Sequence, residues 1–223
     1  DDVKTKRVVI LFAMALSVAG LAFGRSSRAP GLRPSSLPFY DSRDFTPRWS
    51  PVDHRIGPFH LVDQSNATFT ERDLDGRIHV ASFLFAQCPS LCPTLVERLK
   101  PVQKALSSRA GVMMVSYTVA PMTDTPSVLN QFGRLRGIDS AIWRLATGEL
   151  SEIKSVLHDS YFADDTRPLE GEELSKLLHT EKVLLVDGQR RIRGTYNGTS
   201  AFEMERLVED IDALKMESRG PKS

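Results

Sequence analysis

The chain has 223 residues, of which 41% are hydrophobic and 26% charged, and a formal net charge of +1. This length suits one domain of ordinary size with an appendage, and the apolar fraction is sufficient for a buried core. The nearly balanced charge, without long runs of one sign, excludes a nucleic-acid-binding footprint. The chain contains 2 cysteines, which excludes a small fold built on a disulfide framework.

The N-terminal segment is apolar from residue 8 to residue 23 and is flanked by basic residues that include Arg7 and Arg25. As a helix this run would be about 24 Å long, and the flanking arginines can reach the lipid headgroups. Residues 1–25 are therefore predicted to form a single transmembrane anchor. The alternative is a signal peptide with its cleavage site at residues 20–22. The basic residues on the two sides are nearly balanced in number, so charge does not orient the segment.

Residues 26–57 are predicted to form a proline-rich linker or arm, because prolines recur there and periodic apolar residues are few. The arm also carries four aromatic residues: Phe39, Tyr40, Phe45 and Trp49. We expect this part of the chain to pack on the surface of its own domain. The alternative is that the arm grips a partner subunit.

The globular domain is predicted to span residues 58–217 and to be followed by a short tail at 218–223. A β-hairpin is expected around residues 63–66, followed by a central strand at 79–85 that is buried on both faces. An amphipathic helix should then cover residues 95–106, and a second central strand residues 112–119.

The second half of the domain continues the alternation of strands and helices. A helix is expected to begin at Thr125 or Asp124, with Pro126 in its first turn, and a short strand should follow at 142–146. A third helix starts at Ser151, and residues 159–176 form a polar, acidic segment. A hairpin around Asp187 and a last amphipathic helix at 201–214 complete the chain. This order predicts an α/β, thioredoxin-like fold with an N-terminal β-hairpin.

Both cysteines, Cys88 and Cys92, lie between the strand at 79–85 and the following helix. Their spacing of four residues around a helix start lets the two sulfurs face each other and hold either a disulfide bond or a soft metal ion. Pro93 suits a first helical turn, so Cys92 should lie at a helix N-terminus, where the partial positive charge would lower its pKa. Paired thiolates suit Cu(I), and an added imidazole allows Cu(II) as well, whereas a structural zinc site would need four ligands.

A nitrogen ligand would have to come from one of the histidines: His54, His60, His79, His158 and His179. His60 and His79 alternate within strand patterns, which predicts surface or edge positions. His179 ends the acidic segment just before a strand, a position from which it can approach the cysteine loop. Position alone does not decide between a ligand and a solvated side chain at His179.

Residues 88–93 read Cys-Pro-Ser-Leu-Cys-Pro, which resembles the Cys-Pro-x-x-Cys-Pro signature of the Sco/SenC family of copper-binding, thioredoxin-fold proteins. Further matches follow in the same order along the chain: residues 124–126 (Asp-Thr-Pro), 143–148 (Trp-Arg-Leu-Ala-Thr-Gly), His179-Thr180 and 194–199 (Gly-Thr-Tyr-Asn-Gly-Thr). The resemblance runs from about residue 57 to about residue 214. Ser90 and Ala120 depart from the family pattern, which commonly has acidic residues at both positions.

The resemblance implies that copper is bound by Cys88, Cys92 and His179. It also implies a role in metallating the dinuclear copper centre of cytochrome c oxidase, with the copper-bearing oxidase subunit as partner. The protein would then be a single-pass protein of the cytoplasmic (inner) membrane with its domain facing the periplasm. The alternative location is the mitochondrial inner membrane, with the domain facing the intermembrane space.

Two other functions fit the same residues. A membrane-tethered thiol–disulfide oxidoreductase would need only Cys88 and Cys92 as a redox pair, and would keep the oxidase cysteines reduced. An accessory subunit could instead stay bound to other subunits of a respiratory complex through the anchor and arm. His179 separates the first two functions, because copper delivery requires it and disulfide exchange does not.

Overall fold

The computed structural model describes residues 36–89, 91–163 and 180–218. The predicted membrane anchor, Ser90, His179 and most of the acidic segment lie outside these ranges. Of the helices in the described ranges, none combines the length and the apolar character that a membrane span requires.

Within the described ranges, the strands form one 7-stranded sheet in the order β2-β1-β5-β4-β3-β6-β7. The strands are β1 (His60–Asp63), β2 (Thr68–Thr70), β3 (Ile78–Leu84), β4 (Val112–Thr118), β5 (Trp143–Thr147), β6 (Lys182–Val186) and β7 (Ile192–Asn197). The helices are α1 (Leu91–Leu106), α2 (Pro126–Arg136), α3 (Leu150–Ser155) and α4 (Ala201–Ser218). A 3₁₀ turn covers Glu71–Leu74, and a π-helical turn, Val156–Ser160, continues α3.

The centre of the sheet is parallel and its edges are antiparallel. Strand β4 pairs in parallel with β3 and β5, and β1 and β6 add antiparallel strands on the two sides. Helix α1 connects β3 to β4, and α2 connects β4 to β5, as the sequence pattern predicts for parallel neighbours. The α2 start is also confirmed, because the Thr125 side chain accepts a hydrogen bond from the Val128 amide and Pro126 is the first helical residue. The predicted α/β fold with an N-terminal β-hairpin is confirmed, and its sheet is mixed.

Two hydrophobic cores lie on the two faces of this sheet. One is formed with α1 and α4 and contains both cysteines together with Leu95, Leu99 and Leu207. The other is rich in aromatic side chains, including Tyr117 and Tyr161. All residues of β3 are buried, so His79 is fully buried, and the prediction of a surface or edge position for it was wrong. The reason is that a central strand covered on both faces leaves no solvent face for its polar residue.

The described part of the arm, residues 36–57, packs on its own domain, as expected. Tyr40 bridges to Ile192 at the β7 edge, and Phe39 is buried. Tyr40 and Phe45 pack against the aromatic core, whereas Trp49 is 60% exposed. The described part of the arm is thus an extension of the folded domain.

Candidate metal centre

The two cysteines lie where β3 gives way to α1. Cys88 is in the connecting loop and Cys92 is the second residue of α1. The backbone N–H of Cys92 donates a hydrogen bond to the Cys88 sulfur, with an N···Sγ distance of 3.3 Å. Both cysteines are reduced and buried, with exposed fractions of 8% for Cys88 and 5% for Cys92. The structure thus brings the two predicted sulfur donors together at one end of the sheet.

The surroundings of the sulfurs are apolar. Leu84 and Leu95 belong to the same core cluster, and Phe85, Ala86 and Leu91 pack against it. A pair of soft sulfur donors in an apolar, nearly water-free site fits a soft ion such as Cu(I) better than a hard, oxygen-preferring ion. The same site also fits a disulfide, since nothing in the spacing prevents the two sulfurs from approaching.

The protonation of Cys92 differs from the sequence expectation. Burial raises the pKa of the Cys92 thiol to about 12, and the backbone N–H of Phe85, which faces this sulfur, only partly opposes the shift. The predicted lowering at a helix N-terminus was wrong for Cys92, because its side chain points into the core. The amide at the start of α1 faces the Cys88 sulfur instead, and an amide in this position stabilises negative charge on the atom that it faces.

Three candidate nitrogen ligands in the described ranges have surroundings of their own. His79 contacts Tyr161 in the aromatic core, His54 contacts the carbonyl of Ser160, and His60 is exposed on β1. Within the described ranges, no cluster of three histidine, cysteine or acidic side chains is arranged to hold a metal ion. His179 lies outside those ranges, so its role as third ligand stays a prediction.

One residue beside the cysteine loop, Asp124, was not predicted as part of this site. Asp124 is fully buried, and its Oδ2 accepts hydrogen bonds from the Ala86 amide at 3.0 Å and from the Thr118 hydroxyl at 2.6 Å. The carboxylate therefore joins the cysteine loop to the end of β4. From the sequence, Asp124 was predicted only as a helix cap, although its place in the Asp-Thr-Pro motif was an available signal.

A thioredoxin-like sheet with two reduced cysteines where β3 leads into α1 defines a class of thiol proteins. In such a protein the cysteine pair can bind a soft metal ion or form a disulfide. The SCO1/SenC family model matches residues 49–215. The chain therefore belongs to the SCO1/SenC family.

Several relatives support this assignment. The SCO1 protein homolog of Bacillus subtilis is 26% identical over 163 residues, which cover 72% of this chain and 83% of that protein. The mitochondrial SCO1 protein of Saccharomyces cerevisiae is 35% identical over 101 residues, which cover 44% of this chain but only 33% of the yeast protein. A SCO1/SenC family lipoprotein from Bacillus anthracis superimposes with a TM-score of 0.65 at 25% identity, covering 75% of this chain and 98% of that structure.

Proposed function

We propose that this protein binds copper through Cys88, Cys92 and His179 and delivers it to the dinuclear copper centre of cytochrome c oxidase. The observation that carries the proposal is the pair of reduced, buried sulfurs held together by the Cys92 amide at 3.3 Å from the Cys88 sulfur. Related proteins agree with it, since the yeast Sco1 and Bradyrhizobium japonicum ScoI structures are described with copper bound. In this proposal copper is the cargo of the protein.

The residues of the chain would divide the work of binding and release. The two cysteines supply soft donors that retain Cu(I), and the imidazole of His179 adds the harder donor that Cu(II) requires. The apolar core around the sulfurs limits access of water and oxidants. Transfer to the copper-bearing oxidase subunit would proceed by exchange of thiolate ligands, since Gln87 and Pro89, the two neighbours of Cys88, are exposed and within reach of a partner.

We further propose that residues 1–25 anchor the protein in the cytoplasmic membrane, with the domain on the periplasmic side. The apolar run flanked by Arg7 and Arg25 supports an anchor. A location outside the cytoplasm suits delivery to an oxidase subunit exposed on that face. The mitochondrial inner membrane is the alternative.

Thiol–disulfide exchange is the second candidate function. The hydrogen bond from the Cys92 amide to the Cys88 sulfur favours it, because it places the two cysteines next to each other, as a disulfide requires. A relative described as a cytochrome c oxidase assembly protein, BsSco, is also described as having a disulfide switch. An accessory subunit of a respiratory complex is less well supported, because Phe39, Tyr40 and Phe45 of the arm contact their own domain.

Copper stoichiometry and spectra of the purified full chain test the proposal. The reduced protein should bind one copper ion with a thiolate-to-Cu(II) absorption band, and His179→Ala should abolish the band. His60→Ala is the matched control, because His60 is exposed on β1, and this variant should keep both copper and band. If neither the wild type nor the control retains copper, while Cys88 and Cys92 cycle readily as a disulfide, the copper proposal is wrong and thiol–disulfide exchange stands.

A further inference from the structure

Asp124 lies between β4 and α2, and its side chain reaches back to the cysteine loop. One carboxylate oxygen, Oδ2, accepts hydrogen bonds from both the Ala86 amide and the Thr118 hydroxyl. Ala86 is two residues before Cys88, and Thr118 is the last residue of β4. A single oxygen atom thus fastens the loop before the first cysteine to the central strand beside it.

The other oxygen of the same carboxylate has an unusual environment. Asp124 Oδ1 is buried and has no hydrogen-bond partner in the part of the chain that the structure describes. A buried oxygen without a partner is unfavourable for folding. Burial accordingly raises the pKa of Asp124, against the opposing effect of the Thr118 and Ala86 hydrogen bonds. Stability alone therefore does not explain an acid at this position.

The backbone turn that Asp124 holds contacts both cysteines. Successive amides of this turn point in different directions: the Phe85 amide faces the Cys92 sulfur, and the Ala86 amide donates to Asp124. The Phe85 carbonyl then accepts a hydrogen bond from the Cys88 amide at 3.2 Å. If the Ala86 amide lost its acceptor, the peptide could rotate, and the contact of Phe85 with Cys92 and the placement of Cys88 would change together.

We propose that Asp124 is the positioning residue of the cysteine pair, and that its Oδ2 holds the Ala86 peptide so that the Cys88 and Cys92 sulfurs stay together. Asp124 acts through the loop and not as a ligand. The effect of Asp124 on copper affinity rests on the proposed function, in which copper is the cargo. A disulfide between the same two sulfurs requires the same placement.

Three variants of the full chain test the role of Asp124. Asp124→Ala removes the acceptor, Asp124→Asn keeps an oxygen acceptor for Ala86 without the charge, and Thr118→Val removes the hydroxyl that orients the carboxylate. The control is Asp210→Ala, because Asp210 is also buried and accepts a hydrogen bond from Tyr196, but it lies on α4. Two constants are measured: the Cu(I) affinity by competition with a chelator, and the equilibrium constant for disulfide formation with glutathione.

A lost hydrogen bond to a charged acceptor predicts that Asp124→Ala lowers both constants about tenfold. Thr118→Val should lower both in the same direction by about threefold, and it tests the proposal if Asp124→Ala does not fold. Asp124→Asn should stay within about threefold of the wild type. Asp210→Ala should lower the melting temperature and leave both constants unchanged.

The proposal is overturned if Asp124→Ala and Thr118→Val leave both constants at the wild-type values, or if Asp210→Ala lowers them equally. It is also overturned if Asp124→Asn is as defective as Asp124→Ala, since charge and not the tether would then matter. A wild type that binds no copper would reject the proposed function. The disulfide constant would still decide the role of Asp124.

Discussion

The His54 ring stacks on the Phe162 ring, with ring centroids 4.4 Å apart and an interplanar angle of 27°. The contact joins the proline-rich arm to the chain just before the segment at 164–179. Phe45, another arm residue, contacts Phe162 edge-on at a centroid distance of 6.4 Å and lies 5.1 Å from the Lys182 ammonium. The arm therefore contacts both flanks of the segment that contains His179.

The first prediction concerns the effect of these arm contacts on copper binding. Phe45→Ala should lower the Cu(II) affinity roughly threefold to tenfold. Without the Phe45 contacts, the residues on either side of the segment at 164–179 are less constrained, so placing His179 on the copper ion costs more conformational entropy. The measurement is a Cu(II) titration followed at the thiolate absorption band. Trp49→Ala is the control, since Trp49 is a largely exposed aromatic residue of the same arm.

A second pair of variants shows whether the arm acts through His179. In a His179→Ala background, which lacks the absorption band, the Cu(II) affinity is measured by competition with a chelator. Phe45→Ala should have no further effect on it there, because the ligand whose placement Phe45 influences is absent. Equal losses in both backgrounds would contradict this explanation. They would indicate instead that the arm acts on the cysteine loop or on the domain as a whole.

The second prediction concerns the stability of the arm. Arg193 is 4% exposed in its side chain, pairs with Glu217 at 2.7 Å and donates to the carbonyls of Leu37 and Pro38. Its guanidinium also lies 4.0 Å from the centre of the Phe39 ring. Arg193→Met should lower the free energy of unfolding by about 3 kcal/mol, because buried polar groups of the arm and α4 lose their donor.

Urea denaturation measures this change. The control is Arg48→Met, because the Arg48–Asp41 ion pair is more exposed, with side-chain exposures of 52% and 32%. Solvent screens such a pair, so this variant should cost less than about 1 kcal/mol. A loss for Arg193→Met no larger than that for Arg48→Met would show that the buried arginine does not hold the arm.

The third prediction concerns acid conditions. Burial lowers the pKa of His79 to about 3, well below its ordinary value of 6.5. Between these two values the unfolded chain binds a proton that the folded chain excludes. Stability from neutral His79 is therefore complete above about pH 6.5, and is lost as pH falls toward 3, by up to about 1.4 kcal/mol per pH unit.

Urea denaturation at pH 7, 6, 5 and 4 tests this dependence. His79→Gln should lower the free energy of unfolding at pH 7. It should also make that free energy fall less steeply toward acid pH, by an amount that corresponds to at most one bound proton. His60→Gln is the control variant, because His60 is exposed on β1. The same slope for wild type and His79→Gln would show that the buried histidine does not contribute to acid sensitivity.

The fourth prediction concerns thiol reactivity. Because burial raises the pKa of Cys92 to about 12, only a small fraction is thiolate near neutral pH. In a reduced Cys88→Ser variant, the rate of iodoacetamide alkylation of Cys92 should rise about tenfold per pH unit from pH 7 to 10 without a plateau. The urea-unfolded variant should reach its plateau near pH 8.5 to 9.5, as an ordinary cysteine does. A plateau below pH 9 in the folded variant would mean that the thiol is not buried as described.

Local patterns in the sequence predicted the order of strands and helices, the start of α2 and the meeting of the two cysteines. Those features depend on residues close together in the chain. The burial of His79, the contacts of Arg193 with the arm and the hydrogen bonds of Asp124 all join segments that are distant in the chain. The periodicity of the sequence does not encode such contacts. For Cys92 a correct local rule, the charge at a helix N-terminus, was outweighed by burial, which only the packed structure specifies.

The last prediction concerns a glycine of the Gly-Thr-Tyr-Asn-Gly-Thr stretch. A Cβ added at Gly198 would meet the Leu95 side chain of α1, the Val183 side chain at 2.7 Å and the Glu181 carbonyl at 3.0 Å. Leu95 is one helical turn beyond Cys92. Gly198→Ala should therefore lower the free energy of unfolding by about 1–3 kcal/mol through overpacking, and should shift the start of α1.

Gly133→Ala is the matched control. Gly133 lies inside α2, and a Cβ added there would meet the Leu145 side chain at 3.4 Å, an ordinary van der Waals distance. This variant should be neutral or slightly more stable, since alanine favours a helix over glycine by up to about 1 kcal/mol. Both variants are compared by thermal unfolding and by Cu(I) affinity. If Gly198→Ala and Gly133→Ala have the same stability and affinity, α1 is free to move away from β6. The close approach at Gly198 would then not fix the position of the cysteine-bearing helix.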